Sequence, residues 1–455
     1  MLIYNTLSRK KEEFVPKNTV KIYVCGVTPY DEAHLGHARP SIIWDVIRRY
    51  LEYTGHKVKM VQNFTDVDDK IIARSLKENR PALEISRYYS ERYLNSMDML
   101  GVKRCDYYPK VSEYIDEIIK MVEGLIEKGH AYEANGDVYF SVESFSEYGK
   151  LSGRNVEELR AGARIAVDEN KKDPTDFALW KRAKEGEVSW DSPWGKGRPG
   201  WHIECSAMSL DLLGENFDFH GGGLDLIFPH HENEIAQSEA FTGKEFVDFW
   251  VHNGLITINN EKMSKSLGNF VTVDDLLAKN NKEEIRFYIL STHYRSPLNF
   301  TWDGLADSAR GLKRLNNSYN TWKKESTPKD YRNITELVEL EKKFQDAMED
   351  DFNTAQAIGV LFDLNRLGNQ YLQNGDENLG AALKLMETLG GILGILREEE
   401  VSGLIDDVMN ILIDIRLEAR KEKNWELSDK IRDRLSDIGV VLEDTPQGTR
   451  WKVKD

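Results

Sequence analysis

The chain has 455 residues, 40% of them hydrophobic and 30% charged, with a formal net charge of −16. This length predicts about three globular domains, and no run approaches the roughly 20 apolar residues of a membrane-spanning helix. The acidic balance disfavours a protein that coats nucleic acid, because phosphate binding depends on Lys and Arg. Residues 416–455 are less acidic than the rest, with ten Lys and Arg against nine Asp and Glu.

The N-terminus and the cysteines indicate the compartment. Residues 1–13 contain no apolar signal core or cleavage site, so we expect a cytoplasmic protein. The chain has three cysteines, Cys25, Cys105 and Cys205, which is an odd number, and they lie far apart in the sequence. This argues against a disulfide framework and predicts reduced thiols for metal binding or catalysis.

Strands and helices alternate at the start of the chain. Residues 21–25 read as a buried strand, residues 42–51 repeat apolar positions at helical spacing, and residues 58–64 read as a second strand. Such a unit is typical of parallel sheets that bind nucleotides at the carboxyl ends of their strands. The sequence therefore predicts an α/β fold with a Rossmann-like parallel-sheet catalytic domain.

A different pattern interrupts this fold. After helical stretches near 82–100 and 112–129, Asn135-Gly136 stands between two strand-like runs, which is a strong hairpin signal. We expect an inserted mixed domain here, ending in turn-rich residues just before 200. The nucleotide fold then resumes with a helix over 202–213, a strand over 216–220, a helix over 231–241 and strands flanking 250–258.

The C-terminal third predicts an α-helical bundle and a small module. Apolar residues recur at helical spacing over 304–324, 334–350, 353–374, 379–396 and 405–422, and 440–453 resembles two short strands around a turn. The expected domains are a first catalytic half at 1–104, the insertion at 105–200, a second catalytic half at 201–302, the bundle at 303–400 and the module at 401–455.

Two motifs more than two hundred residues apart carry the functional signal. They are His34-Leu35-Gly36-His37, expected where a helix begins, and Lys262-Met263-Ser264-Lys265, expected on a mobile loop. Singly, a His pair can be a packed surface feature and a Lys pair a solvated turn. Together they resemble the paired signatures of class I aminoacyl-tRNA synthetases, although Leu35 replaces the usual Ile. The resemblance implies that His34, His37, Lys262 and Lys265 are catalytic.

Four residues suited to zinc stand at separate points of the chain: Cys25, Cys205, His230 and Glu234. On a helix opening at Pro229, His230 and Glu234 would share a face while His231 and Glu232 point elsewhere. Zinc accepts thiolate, imidazole and carboxylate in one site, but the spacing also fits core cysteines beside a hydrogen-bonded histidine. A zinc hydrolase with an H-E-x-x-H motif is excluded, because position 235 is Ile.

Three segments narrow the resemblance. Tyr-Val-Cys-Gly at 23–26, Gly-Trp-His-Ile-Glu-Cys-Ser-Ala-Met at 200–208 and Phe-Pro-His-His-Glu-Asn-Glu at 228–234 resemble the cysteinyl-tRNA synthetases. The likeness continues to the C-terminal module and implies that the four residues named above bind one zinc ion. The implied reaction joins L-cysteine to the 3′ end of tRNA(Cys) through an adenylate and uses ATP with Mg2+. We expect a monomer that does not contact membranes.

The same resemblance assigns further binding roles. His34, His37, Lys265 and the run Gly221-Gly222-Gly223 would contact ATP, and the amino acid would be held by Gly26, Thr28, Thr65, Trp201 and Asp225. Trp425 and Trp451 are candidates for stacking on unpaired tRNA bases. Three glycines alone more often form a turn, and a Trp on a helix or hairpin more often belongs to the core.

A zinc ion would explain how cysteine is told from serine. The two differ by sulfur for oxygen, and small steric differences are worth only about 1–3 kcal/mol. A soft metal favours a thiolate, and a thiol, with a pKa of about 8.5, ionises far more readily than an alcohol. Four protein ligands normally close a structural site, so the substrate sulfur would have to enter as an extra ligand.

Three other functions compete with this interpretation. A thiol-biosynthetic cysteine ligase with an amino-sugar acceptor would use the same activation chemistry, but it has little use for residues 303–455. A catalytically silent regulator that binds RNA or a nucleotide would not need both His and both Lys residues of the signatures. A purely structural zinc protein would leave the Lys loop unexplained.

Overall fold

The computed structural model describes residues 1–162, 170–264, 267–396, 400–445 and 448–453. It divides into two compact units, Met1–Leu396 and Arg397–Asp455. The strands are β1 (Leu2–Asn5), β2 (Lys10–Glu13), β3 (Thr19–Val27), β4 (Lys57–Phe64), β5 (Ala131–Ala134), β6 (Asp137–Phe140), β7 (Phe177–Arg182), β8 (Gly197–Pro199), β9 (Phe217–Gly223), β10 (Val247–Asn253), β11 (Ile256–Ile258), β12 (Glu261–Lys262), β13 (Leu298–Phe300), β14 (Val440–Thr445) and β15 (Gly448–Val453). The helices are α1 (Leu35–Tyr53), α2 (Asp69–Glu78), α3 (Ala82–Met99), α4 (Ile115–Glu127), α5 (Val156–Gly162), α6 (Trp201–Leu213), α7 (Glu232–Thr242), α8 (Val273–Leu277), α9 (Lys282–Leu290), α10 (Trp302–Glu325), α11 (Thr335–Glu349), α12 (Thr354–Asn374), α13 (Leu379–Leu393), α14 (Glu400–Lys421) and α15 (Trp425–Asp437).

A four-stranded parallel sheet lies at the centre of the first unit. Its order is β10-β9-β3-β4. Ile22 and Tyr23, adjacent in β3, are both fully buried but belong to two different apolar clusters. Since adjacent strand residues point to opposite faces, both faces of the sheet are covered, as parallel sheets require. The predicted Rossmann-like sheet is confirmed.

The residues predicted to form the insertion contain an antiparallel sheet with the order β5-β6-β7-β8. β5 and β6 form the hairpin expected at Asn135-Gly136. These two residues have φ angles of 57° and 88°, which are the left-handed values that the favoured two-residue hairpin turn needs.

Two features of the first unit differ from the prediction. β1 and β2 pair as an N-terminal hairpin that the sequence did not predict, because β2 reads Lys-Lys-Glu-Glu without apolar alternation. β11 was expected among the nucleotide-fold strands, but it lies in a separate sheet of order β12-β11-β13. The second signature therefore begins on its own small sheet.

Helices α10 to α13 complete the first unit and agree with the predicted helical segments within a few residues. Leu315, Leu361 and Leu389 belong to the same apolar cluster as Ile47 of α1. The predicted bundle thus shares its core with the helix that carries the first signature.

The second unit contains α14, α15 and the hairpin of β14 and β15. The pairing runs from Val440 opposite Val453 to Thr445 opposite Gly448, which confirms the two predicted strands. The predicted turn at Pro446 and Gln447 lies outside the described residues. Within the described ranges, none of the helices is both long and apolar enough to span a bilayer.

Candidate active site and metal centre

Side chains from four elements meet at the carboxyl end of the parallel sheet. Cys25 lies near the end of β3, Cys205 on α6, His220 in β9 and Glu234 on α7. Ligands of open α/β folds bind at this edge of the sheet. The register of β3 against β4 shifts just there, between Val24 and Val27, and such an irregularity re-aims the side chains around it.

The four predicted metal ligands come together. One donor atom from each of Cys25, Cys205, His230 and Glu234 lies within 4.8 Å of the others. Cys25 is partly buried and the other three are buried, with His230 Nε2 at 3.0 Å from Glu234 Oε1. Two thiols, an imidazole and a carboxylate in one buried place are a donor set that suits zinc.

The charges of this group also suit a cation. The hydrogen bond from Cys25 lowers the pKa of Cys205 to about 6, while burial raises the pKa of Cys25 itself well above its usual value. Burial opposes protonation of His230, but the charge of Glu234 prevails and raises the pKa of His230 to about 10. Protons on Cys25 and His230 thus balance the negative charges of Cys205 and Glu234. A divalent cation can take the place of these protons.

His231 also faces this group, which corrects the expectation that it points elsewhere. Its Nε2 lies 3.2 Å from Cys25 Sγ and 3.9 Å from Glu234 Oε1. The reason is local, because Ile227–His231 forms a wide π-type turn and the α-helix begins only at Glu232. The face rule of an α-helix therefore does not apply to residues 230 and 231. Glu232 does point away, accepting a hydrogen bond from the Gly149 N–H at 2.9 Å.

A second group of possible ligands shares two members with the first. Donor atoms of Cys25, His220, His231 and Glu234 also lie within 4.8 Å of one another, and His220 Nε2 is 2.8 Å from Glu234 Oε2. The sequence did not predict His220 and His231 as ligands. The one available signal was that His231 adjoins His230. The first group, with two thiols, is the softer donor set and suits zinc better.

The first signature lies at the N-terminus of α1, as predicted. His34 is the residue before the helix, and its ring stacks on that of His37 with centroids 3.6 Å apart. Burial lowers the pKa of His34 to about 4 and the pKa of His37 well below its usual value. Both rings are therefore neutral near pH 7. They offer hydrogen bonds, while the helix N-terminus favours an anion.

The second signature faces the first. Lys262 is exposed at the end of β12, and Met263 Cε lies 3.4 Å from the position that a Cβ on Gly36 would take. The Asn269 side chain closes the segment, accepting from the Ser264 N–H at 2.8 Å and donating to the Lys262 carbonyl at 3.1 Å. Lys265 lies outside the described residues.

Among the residues predicted to hold the amino acid, Trp201 contacts a member of the metal group. Trp201 stacks on His230 with ring centroids 4.3 Å apart and keeps 42% of its surface exposed. Thr65 is buried, and its N–H donates to the carbonyl of Val27 at 3.1 Å. The remaining predicted residues are Thr28, partly buried after β3, Asp225, exposed after β9, and Gly26, whose Cβ would lie 1.5 Å from the Asn63 carbonyl oxygen.

Packing explains two glycines of the run in β9. A Cβ on Gly221 would lie 2.1 Å from the Trp44 ring, and one on Gly222 would lie 2.7 Å from the His231 ring. These positions exclude any side chain, whatever they bind. The expected contact of Gly221, Gly222 and Gly223 with ATP stays a prediction.

Both tryptophans predicted to contact tRNA lie in the second unit. Trp425 is the first residue of α15 and is 58% exposed. Trp451 is partly buried and lies opposite Leu442 in the hairpin. Exposure leaves the ring of Trp425 accessible to a base, whereas Trp451 is held by its hairpin.

Two family models match the chain. Residues 11–310 match the tRNA synthetases class I (C) catalytic domain, and residues 343–397 match the DALR domain. The first match contains both signatures and all members of both candidate metal groups.

Relatives match along the full length. A cysteine–tRNA ligase of Carboxydothermus hydrogenoformans is 53% identical over 470 residues, covering 99% of this chain and 100% of the relative. A cysteine–tRNA ligase of Anoxybacillus flavithermus is 52% identical over 464 residues, covering 99% of each. Among solved structures, a Mycobacterium tuberculosis methionyl-tRNA synthetase in complex with methionyl-adenylate has a TM-score of 0.61 at 13% identity, covering 82% of this chain and 89% of that one. At this identity the likeness concerns the fold alone.

Proposed function

The chain belongs to the cysteine–tRNA ligase family of class I synthetases, and we propose that Cys25, Cys205, His230 and Glu234 hold the zinc ion by which it selects its amino acid. As a member of that family it joins L-cysteine to the 3′ end of tRNA(Cys) in two steps, of which the first consumes ATP. The observation that carries the proposal is the convergence of two thiols, an imidazole and a carboxylate within 4.8 Å at the carboxyl edge of the sheet.

Zinc held by these residues would act as a Lewis acid and bind the substrate sulfur as a thiolate. The hydroxyl of serine would not bind in this way, because it is not a soft donor and ionises far less readily than a thiol. The chain's own residues hold the rest of the amino acid. Trp201 covers the site from its position over His230. By family resemblance, Gly26, Thr28 and Thr65 line the pocket and Asp225 holds the ammonium group.

The first step joins the cysteine carboxylate to the α-phosphate of ATP and releases pyrophosphate. The neutral rings of His34 and His37 donate hydrogen bonds at the N-terminus of α1, and Lys262 and Lys265 bring positive charge to the leaving group. The Gly221–Gly223 run flanks the adenosine, and Mg2+ accompanies ATP. Positioning and electrostatic stabilisation then account for catalysis.

In the second step the terminal hydroxyl of the tRNA attacks the carbonyl carbon of the adenylate, forming the ester and releasing AMP. We assign tRNA contacts to the bundle at 303–400 and anticodon recognition to the module at 401–455, with Trp425 and Trp451 as stacking candidates. The catalytic fold occupies 1–104 and 201–302, with the insertion at 105–200. The protein acts as a cytoplasmic monomer.

Two assays on the purified protein test this function. We expect exchange of labelled pyrophosphate into ATP with cysteine and not with serine, and charging of tRNA(Cys) with cysteine. Exchange without charging would indicate a small-molecule acceptor for the activated cysteine. Absence of cysteine-dependent exchange would contradict the proposal.

A further inference from the structure

Arg39 is a fully buried cation two residues beyond the first signature. It lies on α1, and its side chain is 0% exposed. Its hydrogen-bond acceptors within the described ranges are all backbone carbonyls: Gly254 at 2.8 Å, Leu255 at 3.2 Å, His293 at 3.4 Å, Tyr294 at 3.2 Å and Ser296 at 2.5 Å. One guanidinium thus joins two separate segments of chain to α1.

These carbonyls lie at the base of the small sheet that carries the second signature. Gly254 and Leu255 lead directly into β11, and Ser296 comes shortly before β13, its parallel partner. Lys262 of β12 pairs with Thr257 of β11. The contacts of Arg39 therefore join α1 to the start of the strand that pairs with Lys262.

The other end of the signature segment is also attached to the start of α1. The Leu35 N–H donates to the Val271 carbonyl at 3.0 Å, and the Val273 N–H donates to the Ala33 carbonyl at 2.9 Å. The segment between β11 and α8 is thus attached to α1 at both of its ends. Backbone bonds attach the returning end to α1. At the departing end, backbone bonds such as that from the Gly254 N–H to the Tyr294 carbonyl at 2.8 Å join the two segments to each other, and the Arg39 side chain joins the Gly254 and Tyr294 carbonyls to α1.

Burying the charged Arg39 side chain costs free energy that burying an apolar side chain at the same position would not. Burial lowers the pKa of Arg39 to about 10, and its Nε finds no hydrogen-bond partner among the described residues. A planar fork of donors can reach several carbonyls at once, which the single ammonium of Lys cannot do. An apolar side chain would fill the same space without desolvating a charge.

We propose that Arg39 is a positioning residue for cysteine activation, holding the sheet that bears Lys262 in register with His34 and His37. The inference rests on the proposed function, since Lys262 acts there on the phosphates. Arg39 itself touches no substrate. Its loss should therefore slow adenylate formation and weaken ATP binding, while cysteine binding, which depends on the metal group, is retained.

Arg39→Lys in the full-length chain tests this inference, with Arg286→Lys as its matched control. Arg286 is also 0% exposed and also contacts α1, through Asp45 at 2.6 Å, but its other partners include the Leu393 and Leu100 carbonyls. We expect Arg39→Lys to lower the cysteine-dependent exchange rate by about 10- to 100-fold, the scale of a small misplacement, and to raise KM for ATP but not for cysteine. Arg286→Lys should lower the melting temperature by about as much as Arg39→Lys does, but it should change the exchange rate by less than about 3-fold. Equal rate losses in the two variants would overturn the inference.

A double variant separates positioning from general destabilisation. If Arg39 acts through Lys262, Arg39→Lys should reduce exchange by less than about 3-fold in a Lys262→Ala background, because coupled residues are not additive. Full multiplication of the two effects would refute it. Should Arg39→Lys fail to fold, Gly254→Ala replaces it, since a Cβ there lies 2.3 Å from the Ser296 carbonyl oxygen and separates the same two segments. Wild-type protein without any cysteine-dependent exchange would refute the proposed function instead.

Discussion

Cys205 is the proposed zinc ligand whose thiol is ionised most readily by its surroundings. Its pKa is lowered to about 6 by the hydrogen bond from Cys25, so it is largely a thiolate near pH 7. Serine has nearly the same shape but offers no soft donor. We expect Cys205→Ser to weaken zinc binding by about 10-fold or more and to raise KM for cysteine, as measured by metal content after dialysis and by pyrophosphate exchange.

Cys105→Ser is the matched control for that substitution. Cys105 is a partly buried thiol in the same unit that belongs to neither candidate metal group. The Cys105→Ser variant should keep the zinc content and the KM for cysteine of the wild type. Full zinc content in Cys205→Ser would remove this residue from the ligand set.

His230 and His231 separate the two candidate metal groups. His230 belongs only to the group with two thiols, and His231 only to the group with two imidazoles. We expect His230→Asn to lose zinc and His231→Asn to retain it, measured as metal content at equal protein concentration. The opposite result would place the metal beside His220.

At the scale of single elements, β9 depends on having no side chain at Gly221. The Trp44 ring that would meet its Cβ is only 2% exposed and is packed in the core, so the ring or the strand would have to shift. Overpacking a core costs about 1–3 kcal/mol, so Gly221→Ala should lower the melting temperature measured by circular dichroism.

Gly359→Ala on α12 provides the comparison for Gly221→Ala. Gly359 is exposed, and nothing lies within 4 Å of its Cβ position. Ala is favoured over Gly in a helix by about 1 kcal/mol, so this variant should melt at or above the wild-type temperature. If both variants melted alike, the close contact with Trp44 would not constrain the strand.

The sequence predicted those elements whose signals are local. Helical period located α1 and α10 to α13, and Asn135-Gly136 located the hairpin of β5 and β6, because a two-residue turn depends on its own φ angles. β2 was missed because charged residues fill both faces. β11 was assigned to the wrong sheet because pairing partners far along the chain leave no mark on a three-residue strand.

The site was predictable only in part for the same reason. Resemblance supplied Cys25, Cys205, His230 and Glu234, and the structure brings them together. His231 was missed because an α-helical rule was applied to a π-type turn. The contacts of Arg39 could not be predicted from the sequence, since its carbonyl partners lie more than two hundred residues away and carry no side-chain signature.

For the whole molecule, buried histidines make stability depend on pH. Burial holds the pKa of His34 at about 4 and the pKa of His37 well below its usual value, whereas an unfolded His takes up a proton near about pH 6.5. Below that pH the unfolded chain binds more protons than the folded one, so the free energy of unfolding falls as pH drops from about 6.5 toward 4. Melting temperatures across this window should show the decline.

His34→Asn tests the source of that pH dependence. The variant removes one group that is neutral when folded and charged when unfolded, so its melting temperature should fall less steeply between about pH 6.5 and 4. A slope identical to that of the wild type would mean that His34 does not contribute.

The most direct test of metal-based selection is cysteine-dependent pyrophosphate exchange in protein stripped of metal by a chelator and then reloaded with zinc. We expect exchange to disappear with the metal and to return with zinc, while serine supports none in either state. Undiminished cysteine-dependent exchange in protein proven to be metal-free would contradict the account.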